Sequence, residues 1–572
     1  MVYPSPAKLG LVHMDTIVTL IEESCRKYGD RTAFLQKRGG AWQETTYETL
    51  WSNSDQVAAG LMAYGCQPGE HAALLAASSP QWVMAYVGIL KTGGVVVPID
   101  MELKAIEVCH ILSHGEVRAL FVDSDHLDMI LAMAEEMPLL RLIVTTDGPD
   151  NCPKSTTGAT RRSILPLGKL LDNGILSPFS PRPHDTALIL YTSGTTGRSK
   201  GAMLSHANIV SNIRGAIVHL GVDQSVHTLS FLPINHVFEQ VCGILLPLSL
   251  GGKVSFSESL KKIGENLAEV KPTFFVGVPA IYRMIFDRIM KKIEGKMTSR
   301  LLYATPFTRP LVVSRIRRKL GVGTVFISGG AALDPAIAVG FAKLGVTLLQ
   351  GYGITETSPV IAAESRNGTR PGTVGRVLPS IEVRIDAPGA RMVGEILVRG
   401  PNIMKGYFKD PLATADAIVD GWYRTGDLGR LDRDGFLSIC GRVKSLIVTP
   451  NGKNVYPEEI ENEILKSPYV AEVVVYAHRS GSVAEEIRAA VYPDREALEE
   501  YATHQGKASF LDLEMQTFLR AEVTRACEKL AAYKRVKKVT ICAEEFPKTT
   551  TRKIKRFEVE ASLMAQIPPM NQ

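Results

Sequence analysis

The sequence has few of the features that mark secreted, membrane-spanning or nucleic-acid-binding chains. Its 572 residues include only eight cysteines, which are scattered and form no Cys-x-x-Cys pair. Neither a disulfide framework nor a zinc site is indicated, and the scatter favours a reducing compartment. A net charge of +6, from 65 basic and 59 acidic residues, is too weak by itself to indicate a nucleic-acid partner.

Long hydrophobic runs are also missing. The longest uncharged stretch, residues 72–90, is interrupted by Ser-Ser-Pro-Gln, whereas a membrane span needs about 20 predominantly apolar residues. The N-terminus has no basic segment followed by a long apolar run. We therefore expect a soluble, cytoplasmic protein.

The chain does have the alternation of apolar strands and amphipathic helices that is typical of an α/β fold. Before residue 147 these segments are 16–28, 82–91, 94–99, 119–122 and 140–145. Residues 147–183 are rich in Pro, Gly, Ser and Thr and predict a long surface connection. The alternation resumes at Asp185, which predicts a parallel sheet with helices on its faces.

The pattern of apolar and turn residues changes twice toward the C-terminus. Short strands separated by turn residues occupy residues 375–441 and predict a β-rich subdomain. After Lys444 the pattern becomes that of a compact α+β unit. We expect a large N-terminal domain with stacked α/β sheets, residues 1–441, and a small C-terminal domain, residues 442–572.

The strongest local motif is YTSGTTGRSKG at residues 191–201, which follows an apolar strand and precedes a helix-like stretch. Small residues let backbone N–H groups and hydroxyls approach phosphate oxygens, and Lys200 adds positive charge. Lys200 follows Arg-Ser rather than glycine, so a P-loop motor or kinase is disfavoured. The alternative is a simple turn rich in glycine and serine.

Two further motifs follow apolar strands. In GYGITETSPV, residues 351–360, Glu356 between two threonines can bind a hard cation through oxygen. In SGGAAL, residues 328–333, the glycines would permit close approach of a planar ligand. A plain strand-to-helix turn is equally compatible with the second motif.

Three motifs lie in the C-terminal third. Asp427, in YRTGDLG, can bind two sugar hydroxyls from a tight turn, although a hairpin aspartate is a common alternative. GRVKSLI begins at Gly441. PKTTTRKIKRF, residues 547–557, would alone be interpreted as a solvated basic segment.

The order and spacing of these motifs resemble the adenylate-forming superfamily of acyl- and aryl-CoA synthetases, luciferases and peptide-synthetase adenylation domains. The resemblance covers residues 12–557. The matching segments are the phosphate loop (191–201), the adenine and magnesium segment (351–357), the ribose segment (423–427), the hinge (441–447) and the catalytic-lysine segment (547–556). It implies two half-reactions: a carboxylate attacks ATP to give an acyl-adenylate, and a thiol such as coenzyme A then expels AMP.

The resemblance also implies roles for individual residues. ATP or AMP would be bound by Thr192, Ser193, Gly194, Thr195, Thr196, Lys200, Gly330, Ala331, Gly351, Tyr352, Gly353, Thr355, Asp427 and Arg442. Thr192 and Glu356 would ligate Mg²⁺, and Glu356 also belongs to the implied catalytic set with His236 and Lys553.

Lys553 is the implied catalytic lysine. Arg552 stands where the family usually has glycine, and Lys555 and Arg556 are close enough to remain alternatives. Lys444 stands at the implied hinge, where many members carry aspartate, about which a mobile C-terminal domain would rotate.

Two segments indicate which carboxylic acid is the substrate. FLPINHVFEQ (231–240) and VGVPAIYRMI (276–285) resemble segments of long-chain fatty acyl-CoA synthetases, although Ala280 and Arg283 depart from the pattern. The implied acyl pocket consists of His236, Phe238, Val278 and Gly329. A hydrogen-bonded core histidine and a core phenylalanine are the alternatives for the first two.

Residues 283–319 hold eleven Lys or Arg and only two acidic residues, with apolar residues interleaved at helical spacing. Such a segment can contact an anionic membrane surface, an acidic carrier protein or the phosphates of coenzyme A, or it can be a solvated helical face. With the first contact, the protein would sit peripherally at the inner membrane surface.

We therefore expect an ATP- and Mg²⁺-dependent long-chain fatty acid–CoA ligase with no nucleic-acid partner. Within the same family, the alternatives are an acyl-carrier-protein ligase and a medium-chain or aromatic acid–CoA ligase. Outside enzymes, the alternative is a non-catalytic acyl-binding scaffold.

Overall fold

The computed structural model describes residues 15–147, 162–172, 179–192, 199–321, 323–387, 392–449, 453–480, 483–506, 512–549 and 554–565. The chain divides into two compact units. The large unit comprises residues 2–383 and 398–423, and the small unit comprises residues 384–397 and 424–572.

Helices and strands alternate along most of the chain. The α-helices are α1 (Ile17–Tyr28), α2 (Tyr47–Ala63), α3 (Pro80–Lys91), α4 (Ala105–His114), α5 (Ser124–Ala132), α6 (Leu167–Leu171), α7 (His206–Leu220), α8 (Leu246–Ser249), α9 (Ile263–Val270), α10 (Pro279–Glu294), α11 (Met297–Ala304), α12 (Arg309–Leu320), α13 (Pro335–Lys343), α14 (Pro411–Ala417), α15 (Pro457–Ile464), α16 (Arg495–His504), α17 (Asp512–Cys527) and α18 (Arg556–Ala565).

The strands are β1 (Thr32–Arg38), β2 (Ala41–Thr46), β3 (His71–Leu75), β4 (Val95–Pro98), β5 (Val117–Val122), β6 (Leu142–Thr145), β7 (Ser163–Pro166), β8 (Thr186–Thr192), β9 (Lys200–Ser205), β10 (His227–Ser230), β11 (Lys253–Phe256), β12 (Phe274–Gly277), β13 (Val325–Ser328), β14 (Thr347–Gly353), β15 (Val360–Ala363), β16 (Arg376–Val377), β17 (Glu382–Asp386), β18 (Gly394–Arg399), β19 (Gly406–Tyr407), β20 (Ile418–Val419), β21 (Trp422–Leu431), β22 (Leu437–Arg442), β23 (Ile447–Val448), β24 (Asn454–Val455), β25 (Val470–Ser480), β26 (Val483–Pro493) and β27 (Lys538–Ile541).

Two mainly parallel sheets form the centre of the large unit. One has the strand order β19-β9-β8-β4-β3-β5-β6-β7, and the other has the order β16-β15-β14-β13-β12-β10-β11-β1-β2. Helix α7 contacts both β9 and β15, while α3 contacts β3 and β4 and also packs on α2. These helices therefore lie between the sheets, which confirms the expected stacked α/β architecture.

The uncharged stretch at residues 72–90 becomes a strand and a buried helix. Strand β3 is parallel to β4 and β5, and every residue of α3 except Gln81 is buried. The helix begins where the sequence indicates, because Ser79 accepts a hydrogen bond from the backbone N–H of Trp82 and Pro80 occupies the first turn. A helix apolar on all sides is stable here because it lies in the interior.

Two local expectations need correction. Residues 163–171, within the predicted surface connection, form β7 and α6, because the apolar run Ile-Leu-Pro-Leu continues the sheet beside β6. The stretch after the phosphate-loop motif is not immediately helical. Strand β9 comes first and pairs antiparallel with β8, and α7 follows it.

The small unit contains a three-stranded sheet, β25-β26-β27. Helices α15 and α17 pack on one face around Val473, Val475 and Val491, and α18 covers the other face around Val474 and Ala490. The alternation of these residues along β25 and β26 explains why both faces are apolar. Within residues 424–442 of this unit, β21 pairs antiparallel with β22.

None of the helices in the described ranges combines the length and the apolar character that crossing a membrane requires.

Candidate active site

The phosphate-loop motif begins and ends in a β-hairpin of the large unit. Thr192, the last residue of β8, lies opposite Lys200, the first residue of β9. The predicted ligands Ser193, Gly194, Thr195 and Thr196 lie outside the described residues. The hairpin register brings a hydroxyl and an ammonium group to the two ends of the motif, which suits an anionic ligand.

Lys200 is positioned by Tyr407 and Asp410, which belong to none of the motifs found in the sequence. Its Nζ lies 5.2 Å from the centre of the Tyr407 ring and 4.0 Å from Oδ2 of Asp410. About a third of the Lys200 side chain is exposed (35%). The ammonium group is therefore oriented by an aromatic face and a distant carboxylate and is still accessible to a phosphate.

Glu356 lies in a 3-10 turn, Thr355–Thr357, directly after β14. Its Oε1 accepts a hydrogen bond from the Tyr407 hydroxyl at 2.9 Å, and its backbone carbonyl accepts one from the N–H of Met404, also at 2.9 Å. Tyr407 is in turn hydrogen-bonded to Tyr423. Burial, with the Glu356 charge adding to it, raises the pKa of both tyrosines, so both hydroxyls stay protonated as donors.

The oxygen donors available here fit magnesium. Mg²⁺ in proteins is typically held by one or two carboxylates together with substrate phosphates and waters. Glu356 supplies such a carboxylate, and Thr192 supplies a hydroxyl at the end of the phosphate-loop strand. Among the described residues, no group of three or more His, Cys, Asp or Glu could hold a metal ion without a substrate.

One cavity brings together three motifs that are far apart in the sequence. Its lining includes Phe238, Gly329 and Gly330, together with Gly351, Tyr352 and Gly353 from β14. The remaining lining residues are the apolar or small side chains Ala216, Leu220, Cys242, Phe274, Ile327, Pro359, Val360, Ala363 and Leu378. The cavity therefore has mainly apolar walls beside the strand-end glycines and Tyr352.

The glycines of SGGAAL have different functions. A Cβ on Gly329 would lie 2.7 Å from Cζ of Phe238, so glycine makes room for that ring. Gly330 has φ +81°, a left-handed conformation that glycine adopts without strain. Gly330 and Ala331 are exposed at the carboxyl end of β13, as a ligand-binding turn requires.

The other two residues predicted for the acyl pocket, Val278 and His236, do not line the cavity. Val278 is buried as the residue before α10 and is not among the residues that line the cavity. His236 is half-buried, and its backbone carbonyl accepts a hydrogen bond from the N–H of Gln240 at 3.1 Å. It belongs to the segment that carries Phe238 but does not line the cavity either.

A buried acid follows Phe238. Glu239 starts a π-helical segment, Glu239–Leu245, and is only 1% exposed. Burial raises the pKa of this carboxyl to about 8, so it is mainly protonated at neutral pH. A Cβ on Gly243 would lie 2.7 Å from the Glu239 carboxyl carbon, so Gly243 makes room for the acid.

The small unit holds the second set of predicted residues. Asp427 on β21 lies opposite Arg442 on β22, and Nε of Arg442 donates to Oδ1 of Asp427 at 2.6 Å. The Asp427 side chain is 8% exposed and that of Arg442 is 52% exposed. Lys444 follows in an exposed 3-10 turn, Val443–Ser445.

Lys553 lies outside the described residues, but both sides of it are anchored. Lys548 bridges to Ile554, and the N–H of Lys555 donates to the carbonyl of Pro547 at 2.8 Å. Arg556 is in an ion pair with Glu461, whose side chain is 12% exposed.

Two family models match this chain. The model described as AMP-binding enzyme matches residues 21–408, and the model of the AMP-binding enzyme C-terminal domain matches residues 459–553.

Full-length relatives match as well. Long-chain-fatty-acid–CoA ligase FadD15 of Mycobacterium bovis is 29% identical over 99% of this chain and 98% of its own length. Long chain acyl-CoA synthetase 7, peroxisomal, of Arabidopsis thaliana is 30% identical over 99% of this chain and 87% of its own length. Among solved structures, ATP-bound MatB from Rhodopseudomonas palustris superposes with a TM-score of 0.75 at 27% identity, covering 95% of this chain and 98% of that one.

Proposed function

Because this chain belongs to the AMP-binding enzyme family, we propose that it is a long-chain fatty acid–CoA ligase. The carboxylate of the acid attacks ATP to give an acyl-adenylate and pyrophosphate, and coenzyme A then takes the acyl group and releases AMP. The observation that carries the proposal is the cavity in which Phe238, from the acyl-type segment, and Tyr352, from the nucleotide-type segment, line one space. The choice of acid is supported by the names of two relatives, a long-chain-fatty-acid–CoA ligase matched over 98% of its length and a long chain acyl-CoA synthetase matched over 87%.

The phosphates of ATP are bound by the hairpin β8–β9. Lys200 neutralises their charge, and the hydroxyls and backbone of residues 192–196 bind their oxygens. Glu356 and Thr192 would hold Mg²⁺, which would supply further positive charge to the phosphates. Tyr407 fixes the rotamer of Glu356 through its hydrogen bond, so the carboxylate is oriented before the ligand arrives.

In the large unit, the residues proposed for adenine are those that the family resemblance implies. Tyr352 and the strand-end residues Gly330, Ala331, Gly351 and Gly353 contact adenine, with Thr355 beside them. In the small unit, Asp427 accepts hydrogen bonds from the ribose hydroxyls while Arg442 orients its carboxylate. We place the boundary between the family's two domains at residues 441 and 442, with Lys444 as the hinge.

Lys553 provides the ammonium group for adenylation. A cation beside the α-phosphate stabilises the charge that develops during attack and also attracts the substrate carboxylate. Its neighbours are less suitable, because Lys555 pairs with Glu558 at 3.0 Å and Arg556 pairs with Glu461. These contacts disfavour Lys555 and Arg556, and the family resemblance assigns the role to Lys553.

The acyl chain occupies the apolar part of the cavity, between Phe238, Cys242 and Leu378. The half-buried His236 lies two residues before Phe238, in the segment that supplies part of this lining. Apolar walls favour a hydrocarbon chain over an amino acid, whose ammonium group would need a buried acid partner, because the neighbouring acid Glu239 is not among the residues that line the cavity.

A panel of acids tests the proposal. Pyrophosphate release is measured with ATP, Mg²⁺ and coenzyme A for acids from hexanoate to stearate and for benzoate. We expect long-chain acids to exceed octanoate and benzoate in kcat/KM by about tenfold or more, since each methylene contributes in an apolar pocket. Higher values for benzoate or octanoate would contradict the choice of acid, and turnover only with an acyl carrier protein would contradict the choice of thiol.

A further inference from the structure

Helices α11 and α12 of the large unit present a cluster of exposed apolar side chains. Phe307, in the turn between them, is 93% exposed, Met297 is 81% exposed and Leu301 is 69% exposed. Leu302 and Leu311 complete the set, with 41% and 68% exposure. Single exposed hydrophobic residues are common on soluble proteins, but five large ones within residues 297–311 form a patch that needs a partner.

The patch is not a core face left uncovered. The opposite faces of the same helices already pack inward, with Tyr303, Val312, Ile316 and Leu320 against the cluster that contains Ile285 and Ile293. Met297 and Leu301 are separated by one helical turn and therefore share the outer face of α11. The exposed set is thus a second face.

The turn that carries Phe307 is held by hydrogen bonds. The Thr308 hydroxyl donates to the carbonyl of Leu302 at 2.7 Å, and Nε of Arg309 donates to the carbonyl of Tyr303 at 2.9 Å. The Thr305 hydroxyl donates to the carbonyl of Leu301, also at 2.9 Å. Phe307 therefore projects from a fixed turn, and little further ordering is needed to expose it to a partner.

Positive charge surrounds the patch. Residues 283–319 carry a net charge of +9, whereas the whole chain carries +6. Arg300 lies three residues after Met297, and Arg315 lies four residues after Leu311, so cations share the helix faces of the apolar residues. Other exposed cations in the segment are Arg288, Lys291, Lys292, Lys296, Arg309, Arg318 and Lys319.

We propose that this basic apolar surface, formed by residues 297–311 and the surrounding cations, binds an anionic lipid membrane. Phe307, Met297 and Leu301 enter the boundary between headgroups and acyl chains, and the lysines and arginines contact lipid phosphates. The inference goes beyond the proposed ligase function, because it concerns where the enzyme sits.

Other partners fit the surface less well. A second copy of this chain would bring two +9 segments together, and like charges repel. The phosphates of coenzyme A or the carboxylates of an acidic carrier protein would pair with the cations but leave Phe307 and Met297 in water. A membrane is the partner that satisfies both the charge and the apolar area.

Vesicle sedimentation tests the proposal on the full-length protein. Vesicles of phosphatidylcholine with 30% phosphatidylglycerol are compared with phosphatidylcholine alone, at 50 mM and 500 mM salt. We expect binding to the anionic vesicles at low salt, and about tenfold less with neutral vesicles or at high salt, where the screening length falls to about 4 Å.

Two double variants separate the apolar and the charged contributions. Phe307→Ser with Leu301→Ser removes the inserting side chains, and Arg300→Glu with Arg315→Glu reverses two cations. We expect each to lower the bound fraction about tenfold or more. Ile106→Ser, at a site 77% exposed elsewhere, and the double reversal of the exposed Arg26 and Lys261 are matched controls that bind as the parent does.

Three outcomes would overturn the proposal. The first is equal binding to neutral and anionic vesicles, and the second is unchanged binding of both double variants. The third is that the parent does not bind vesicles but forms a concentration-dependent dimer, or a complex with an acidic carrier protein. In that case the same variants would abolish the dimer or the complex. The readout is binding, so it is interpretable even if the chain activates a different acid.

Discussion

The hydroxyl of Tyr407 donates a hydrogen bond to Oε1 of Glu356 at 2.9 Å, across 51 residues of sequence. The ring of the same tyrosine lies 5.2 Å from the ammonium group of Lys200. One phenol therefore contacts the two charged groups, one negative and one positive, that we assign to Mg²⁺ and to the phosphates of ATP. Replacing Tyr407 should therefore affect the adenylate-forming half-reaction more than the thiol half-reaction.

Tyr407→Phe keeps the ring beside Lys200 but removes the hydrogen bond to Glu356. We expect kcat for adenylate formation to fall about tenfold and the Mg²⁺ concentration for half-maximal rate to rise, because the carboxylate loses its fixed orientation. Pyrophosphate release at varied Mg²⁺ measures both. Tyr86→Phe is the matched control, since its buried hydroxyl has no hydrogen-bond partner within the described residues.

Lys553→Ala should abolish adenylate formation and spare the thiol step. Loss of a preorganised charge at the α-phosphate costs about 10²–10³ in rate, whereas attack of the thiol on a preformed acyl-adenylate does not use that charge. The two half-reactions are assayed separately, with Lys555→Ala as the control because Lys555 pairs with Glu558. Equal loss of both half-reactions in Lys553→Ala would contradict the assignment.

Phe238 and Gly329 should change chain-length preference in opposite directions. Phe238→Ala removes a ring from the cavity lining, so longer acids should gain in kcat/KM relative to shorter ones. Gly329→Ala places a methyl group 2.7 Å from the original position of the Phe238 ring, which must move into the cavity, so longer acids should lose. Parallel shifts in the two variants would show that Phe238 belongs to the core alone.

Glu239→Gln should stabilise the protein increasingly as pH rises. The pKa of Glu239 is raised from 4.5 to about 8 in the folded state, so folding takes up a proton between these values. In the parent, the contribution of Glu239 to the free energy of unfolding is therefore fully present below about pH 4.5. It falls by about 1.4 kcal/mol per pH unit up to about pH 8, whereas the contribution of the neutral amide does not change with pH. Thermal unfolding at pH 5.5 and pH 8.5 measures the difference, with the exposed Glu102→Gln as a control that shows no trend.

The sequence predicts the fold well where apolar runs are long. Segments 82–91 and 119–122 lie within α3 and β5, because burial on all sides needs continuous apolar residues. Strand β7 was missed, since four apolar residues between Pro- and Ser-rich neighbours have the composition of a loop. Only its pairing with β6 decides its structure.

The site was predictable at the level of segments. Glu356 and Lys200 could be predicted from local motifs, because each lies in a short run with its own chemistry, whereas Tyr352 was predicted from the family resemblance. Tyr407 could not, since its contacts with Glu356 and Lys200 depend on how β19 pairs with β9. Whether Val278 lines the cavity depends likewise on how α10 packs, and the segment containing it gives no sign of the outcome.

The placement of Tyr407 has an optical consequence. A phenol absorbs in the near ultraviolet, and its band shifts when charges at its face or its hydroxyl change. Binding of magnesium and ATP would change the charge at the ring face, where Lys200 lies, and at the hydroxyl, which Glu356 contacts. With the proposed assignment, Tyr407 would report nucleotide binding, and a tyrosine difference spectrum that disappears in Tyr407→Phe would allow occupancy of the site to be followed without any label.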